Sequence, residues 1–219
     1  MPSLVGSEMC IRDSLYLMSG LLTPKNGKVM FHDTDVRRRL PVTLQDMFLV
    51  PEEFELPSVS LVSYIELNSP FYPRFSKEEM IKYLHYFEMD IDIDLGSLSM
   101  GQKKKVFMSF ALATNTSLLL MDEPTNGLDP IGIAEVRKFI KDLSVDRGKT
   151  ILISSHILSE IALLADDIGI IDHGVLLEES SMEDLEKKNR KYIQLQVSDV
   201  PKASLILDCL LYTSPSPRD

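Results

Sequence analysis

A run of four apolar residues, Leu118-Leu119-Leu120-Met121, ends in two adjacent carboxylates, Asp122 and Glu123, and is closed by Pro124. A short apolar run bounded in this way reads as a buried strand, and buried strands belong to sheets covered on both faces. Open α/β sheets bind their ligands at the carboxyl ends of the strands, which puts both acids at a binding edge. Successive side chains of a strand diverge, so Asp122 and Glu123 cannot perform the same task.

The order of the surrounding elements predicts a mainly parallel α/β core interrupted by a helical insert. Thr150 to Ser154 and Ile168 to Asp172 read as further strands, and Ile157 to Ala165 reads as a helix. Asp129 and Pro130 form an N-cap and first-turn pair for a helix running to about residue 147, stopped by Gly148. Upstream, Leu15 to Leu22 reads as a short helix that ends at a turn containing Asn26-Gly27, where positive φ is needed. Lys28 to His32 and Asp46 to Val50 read as strands. From about residue 56 to 115 the pattern is helical. Ser76 and Glu79 make a capping box, with Met80, Leu84 and Phe87 on one face, and Gly101 to Asn115 follows as a helix. After Lys188 something new begins, with Tyr192 to Val197 as a candidate strand.

Composition narrows the function. The chain has 219 residues, 44% hydrophobic and 26% charged, as in an ordinary globular protein. Its formal net charge of −10 argues against nucleic acid as a partner, because phosphate contacts require a basic surface. The cluster Lys103-Lys104-Lys105 reads as a solvated helix face, and no apolar stretch is long enough to span a membrane.

The two ends are related in a way no protein feature explains. Met9-Cys10-Ile11-Arg12-Asp13-Ser14 and Cys209-Leu210-Leu211-Tyr212-Thr213 can be encoded by opposite strands of one DNA sequence. The relation continues outward, from Ser3–Glu8 to Ser214–Asp219. Both segments resemble a translated transposon-end sequencing adapter. Residues 1–14 and 209–219 are therefore expected to be non-native scars, residues 15–190 the native domain, and 191–208 the start of a further segment. With the scars set aside the native stretch has no cysteine.

Four motifs in order now identify a family. Leu98-Ser99-Met100-Gly101-Gln102 resembles the signature motif of ATP-binding cassette (ABC) ATPases, and the strand ending in Asp122-Glu123 resembles their Walker B. Asn126-Gly127-Leu128-Asp129 is similar to the D-loop, and His156 after Ile153-Ser154-Ser155 is similar to the H-loop. The resemblance implies a P-loop NTPase-like fold with an inserted all-helical subdomain, here a partial nucleotide-binding domain. It implies an ATPase with ATP and Mg2+ as cofactors, working as a dimer of ATP-binding domains with a transmembrane permease subunit. Its place would be cytoplasmic, peripheral on the inner face of the cell membrane. By resemblance, Asp122 holds Mg2+, Glu123 polarises the attacking water, His156 contacts the γ-phosphate, and Asp129 both caps its helix and meets the partner. Leu98, Ser99, Met100, Gly101 and Gln102 would face nucleotide bound by the second copy. A helix start with a serine and a glycine favours an anion through its free N–H groups.

The sequence departs from the family in three places. Glu52, in Val50-Pro51-Glu52-Glu53, stands where the Q-loop has glutamine, and Met100 replaces a signature glycine. The third departure concerns Walker A, whose Gly-x-x-x-x-Gly-Lys-Ser/Thr should occupy about residues 5–12. Those positions read Val5-Gly6-Ser7-Glu8-Met9-Cys10-Ile11-Arg12. The expectation is an exporter-type ATPase subunit whose fragment, as written, binds ATP weakly or not at all. Two alternatives stay open: a soluble ABC ATPase acting on ribosomes or DNA, and a functionless fragment joined from two genes near residues 124–130.

Overall fold

The structure, a computed structural model, describes residues 2–6, 8–147 and 150–189. The chain divides into two units, Met1–Leu185 and Glu186–Asp219, and of the second only the end of one helix lies among the described residues. Tyr192–Val197 and residues 209–219, assigned above to a strand and a scar, fall outside them.

Strand β1 (Pro2–Gly6) leads into helix α1 (Glu8–Met18), and β2 (Met30–Phe31) pairs with β3 (Thr34–Asp35) as a small antiparallel ribbon. A single helical turn, α2 (Pro41–Leu44), precedes β4 (Met47–Val50). The lobe expected over about 56–115 follows as α3 (Leu61–Asn68), α4 (Lys77–Tyr86) and α5 (Met100–Ala113). The chain then alternates through β5 (Leu118–Asp122), α6 (Pro130–Arg147), β6 (Thr150–Ser154) and α7 (Leu158–Ile161). It closes with β7 (Asp167–Asp172), β8 (Val175–Ser181) and α8 (Met182–Asn189). The six-stranded sheet has the order β4-β5-β6-β1-β7-β8, parallel throughout except for the antiparallel β7–β8 pair.

Strand periodicity explains why the interiors of β5 and β6 are continuously apolar. Leu119 and Met121 of β5, with Ile151 and Ile153 of β6, join the large core shared with the helical lobe. Leu120 and Leu152 point the other way, into a smaller core beneath α1 with Ile11 and Leu15. Both faces are covered, so alternation vanishes from the sequence. Ile11 and Leu15 are essentially fully buried, each worth roughly 1.5–3 kcal/mol relative to exposure. The lobe is tied to the sheet through aromatic contacts, with Phe48 of β4 packed edge-on to Phe107 of α5 at 5.6 Å.

Three expectations are corrected. The helix placed at Leu15–Leu22 begins at Glu8 and ends at Met18, because Ile11 and Leu15, four residues apart, share the face that meets the sheet. Past it, Gly20 adopts φ +70, and a Cβ there would lie 2.7 Å from the Val36 carbonyl oxygen. Residues 2–6 and 8–14 lie in this sheet and helix, which says nothing of the origin of the DNA that encodes them. The capping box at Ser76 forms only by half: Ser76 accepts from the Glu79 N–H at 3.2 Å, while the Glu79 carboxylate accepts from Asn115 at 2.7 Å. The helix after His156 is a single turn, α7, rather than the full span to Ala165.

Candidate functional site

The register of β5 against β6 sets Asp122 beside Ser154 at the carboxyl edge of the sheet. Both are almost wholly buried. Buried carboxylates must be partnered, and the Ser154 hydroxyl donates to Asp122 Oδ1 at 2.7 Å. Glu123 follows with φ +46, a left-handed conformation that turns the chain away from the strand. The Glu123 N–H donates to Ser154 Oγ at 3.1 Å, fixing that turn.

The side chain of Glu123 thereby points to the loop after β6. Its Oε1 accepts the His156 N–H at 2.8 Å and lies 2.9 Å from His156 Nδ1, and its Oε2 accepts the Ser155 hydroxyl at 3.3 Å. Asp122, Glu123 and His156 are thus brought together, and the two acids face different partners, as a strand end requires.

The signature residues cap α5. Ser99 Oγ accepts from the Gln102 N–H at 3.3 Å, and Gln102 Oε1 accepts from the Ser99 N–H at 3.0 Å, a complete capping box. Ser99 and Met100 are exposed and Leu98 is half-buried against the core. Gly101 has a packing reason as well as any role toward an anion, since a Cβ there would sit 3.3 Å from Leu128 Cδ2. Asp129 is an exposed N-cap whose Oδ1 accepts the Gly132 N–H at 3.0 Å.

Two basic residues were not read as part of this site. Lys104, expected on a solvated face, is buried, and its Nζ donates to the Asn126 carbonyl at 2.5 Å. Burial pushes its pKa down, opposed by the nearby Glu52, Glu123 and Asp122. The neighbouring Lys105 pairs with Glu135 and lies over the Phe87 ring at 5.4 Å, so it too is engaged. The run was misread because consecutive helical positions point 100° apart, so three lysines in a row need not share the same surroundings. The other residue is Arg12 of α1. Its Nε donates to Asp122 Oδ2 at 3.0 Å, and its other arm pairs with Glu52 Oε2. Burial works to lower the Arg12 pKa, but the hydrogen bond and charge of Asp122 and the charge of Glu52 outweigh it, for a net rise. Glu52 Oε1 is in turn taken by the Asn126 side-chain amide.

These residues do not fit a magnesium-bound nucleotide. The carboxylate oxygens that would meet a metal already hold a guanidinium. Between the last residue of β1, Gly6, and the first of α1, Glu8, lies a single residue, where a phosphate cradle needs a loop of backbone N–H groups. Among the described residues no group of three or more metal-ligating side chains is found.

Comparison with known proteins gives this geometry its relatives. A family model described as an AAA domain, putative AbiEii toxin, Type IV TA system, matches residues 21–162. The bacitracin transport ATP-binding protein BcrA of Bacillus licheniformis is 50% identical over 114 residues, covering 52% of this chain and 37% of its own length. The uncharacterized ABC transporter ATP-binding protein YhcH of Bacillus subtilis is 34% identical over 218 residues, covering 94% of this chain and 68% of its own. The chain therefore spans little more than a third of the first of these relatives. Among solved structures, an ATP-binding subunit of an ABC transporter superposes with a TM-score of 0.75 at 21% identity, covering 95% of this chain and 88% of that one. At that identity the likeness concerns the fold.

Proposed function

The chain belongs to the family of ABC transporter ATP-binding proteins, and from that premise we propose that its parent is the ATP-hydrolysing subunit of an exporter. It works as a pair of ATP-binding domains joined to a separate transmembrane permease, at the inner face of the cell membrane. Among the described residues no helix is long and apolar enough to cross a membrane. The name of BcrA, a bacitracin transport ATP-binding protein, supports a transporter.

The observation that carries the reading is the contact between Glu123 and His156. A carboxylate held by a backbone N–H and a ring nitrogen, at the lip of a buried sheet, suits the task of taking a proton from an attacking water. His156 keeps it aimed, and Asp122 has a separate task in the parent. The exposed Ser99 end of α5 is the surface offered to the nucleotide of a second copy, and Asp129 is the contact made beside it.

As it stands the chain supports a second statement, carried by Arg12: it is inert toward nucleotide, because Arg12 occupies both Asp122 and Glu52 and no phosphate-loop motif stands before α1. We attribute residues 1–14 and 209–219 to non-native DNA, the native domain being 15–190. The test is to replace residues 1–14 by a strand and loop carrying Gly-x-x-x-x-Gly-Lys-Ser/Thr and to measure phosphate release from MgATP. Release above the level of the unaltered chain supports the reading. Tight nucleotide binding with no release, alone or with the permease, overturns it.

A further inference from the structure

We propose that Glu160 is a positioning residue for the Glu123–His156 pair, acting through Thr125. Glu123 and His156 lie on two loops, one leaving β5 and one leaving β6. The ladder that aligns those strands ends at the Asp122–Ser154 pairing, one residue before Glu123. Beyond it the loops separate around a small cleft lined by Glu123, Thr125, His156, Ile157 and Glu160. On the far side of that cleft the Thr125 hydroxyl donates to Glu160 Oε2 at 2.7 Å. Thr125 is buried and stands two residues past Glu123, while Glu160 stands four past His156, within α7. The two contacts, Glu123 to His156 and Thr125 to Glu160, close a ring across both loops.

The chemistry suits a tether. A hydroxyl bonded to a carboxylate is a charge-assisted contact, stronger than one between neutral groups. Helix α7 is a single turn, too short to be stable by its own hydrogen bonds. An anchor from its third residue to the loop carrying Glu123 fixes where His156 sits. The task given to Glu123 and His156 rests on the reading above; the tether rests on the geometry.

The test uses this chain, labelled for NMR, and follows the His156 amide exchange rate and ring signals. Glu160→Leu and Thr125→Val are each expected to speed exchange of the His156 N–H by about tenfold and to shift its ring signals. Glu160→Gln and Thr125→Ser, which keep an acceptor and a donor, are expected to leave both near the unaltered chain. Unchanged His156 signals in Glu160→Leu overturn the proposal, and if that variant does not fold, Thr125→Val reads the same bond from the other side. In an ATP-hydrolysing parent the same pair lowers kcat by about tenfold with KM for ATP unchanged. Altered His156 signals with full kcat would leave the tether standing and remove the role given to Glu123.

Discussion

Glu123 Oε1 is held by one residue twice, 2.8 Å from the His156 backbone nitrogen and 2.9 Å from its ring Nδ1. Each contact orients the carboxylate, and losing the charge removes its ability to accept a proton. In a parent carrying a glycine-rich loop, Glu123→Gln is expected to lower kcat by at least about 100-fold while leaving ATP binding intact. Phosphate release and nucleotide titration on the same preparation check both halves. Turnover within tenfold of the unaltered enzyme contradicts the assignment.

The unaltered chain is expected to show no micromolar affinity for ATP. The missing loop removes several charge-assisted contacts, each worth about 1.5–3 kcal/mol, and Arg12 holds the carboxylates. Arg12→Gln does not restore binding, since the cradle is still missing. It does uncover the buried Asp122 charge, and unfolding in urea is expected to become easier by about 1 kcal/mol. That figure is kept small because the Arg12 side chain is 38% exposed. A fluorescent nucleotide titration and a urea curve test the two parts separately.

Asp129 carries the first turn of α6 through its bond to Gly132. Asp129→Ala is expected to cost about 1 kcal/mol in chemical denaturation, whereas Asp129→Asn or Ser should cost a few tenths. Equal stability for the alanine variant would show that the cap carries no weight.

Tyr83 is buried in the helical lobe, and its hydroxyl finds no hydrogen-bond partner among the described residues. Burial pushes its pKa up to about 12 from 10.0. The folded form thus keeps its proton longer than the unfolded chain. Stability from this group is complete below pH 10 and is lost as the pH rises through about 12. Tyr83→Phe removes the orphan hydroxyl and is expected to stabilise the protein by about 1 kcal/mol at neutral pH. It should also flatten the alkaline fall in stability, as read from denaturation curves at neutral pH and near pH 11.

What the sequence made legible was local chemistry in sharp patterns. The strand ending at Asp122, the caps at Ser76, Ser99 and Asp129, and the lobe between residues 56 and 115 all have short-range signals. What stayed hidden was long-range. Arg12 meets Asp122 across 110 positions, and Thr125 meets Glu160 across 35. The same reason diverted Glu79 to Asn115, where a tertiary donor won over the local one. Lys104 was hidden differently: its long side chain reaches a backbone carbonyl that no pattern of charges announces. Helix α1 was placed too late because its first residues were judged by the DNA that encoded them, whereas Ile11 packs by shape alone.

The left-handed backbone of Glu123 has an evolutionary consequence. A residue with a Cβ gives up about 1 kcal/mol or more in that conformation, and glycine would recover it. Any directed search of such domains for heat resistance would weigh that relief against the three side-chain hydrogen bonds that Glu123→Gly discards, two to His156 and one to Ser155. Tolerance of the awkward torsion is how this scaffold keeps a carboxylate at a corner that polypeptides prefer to leave bare.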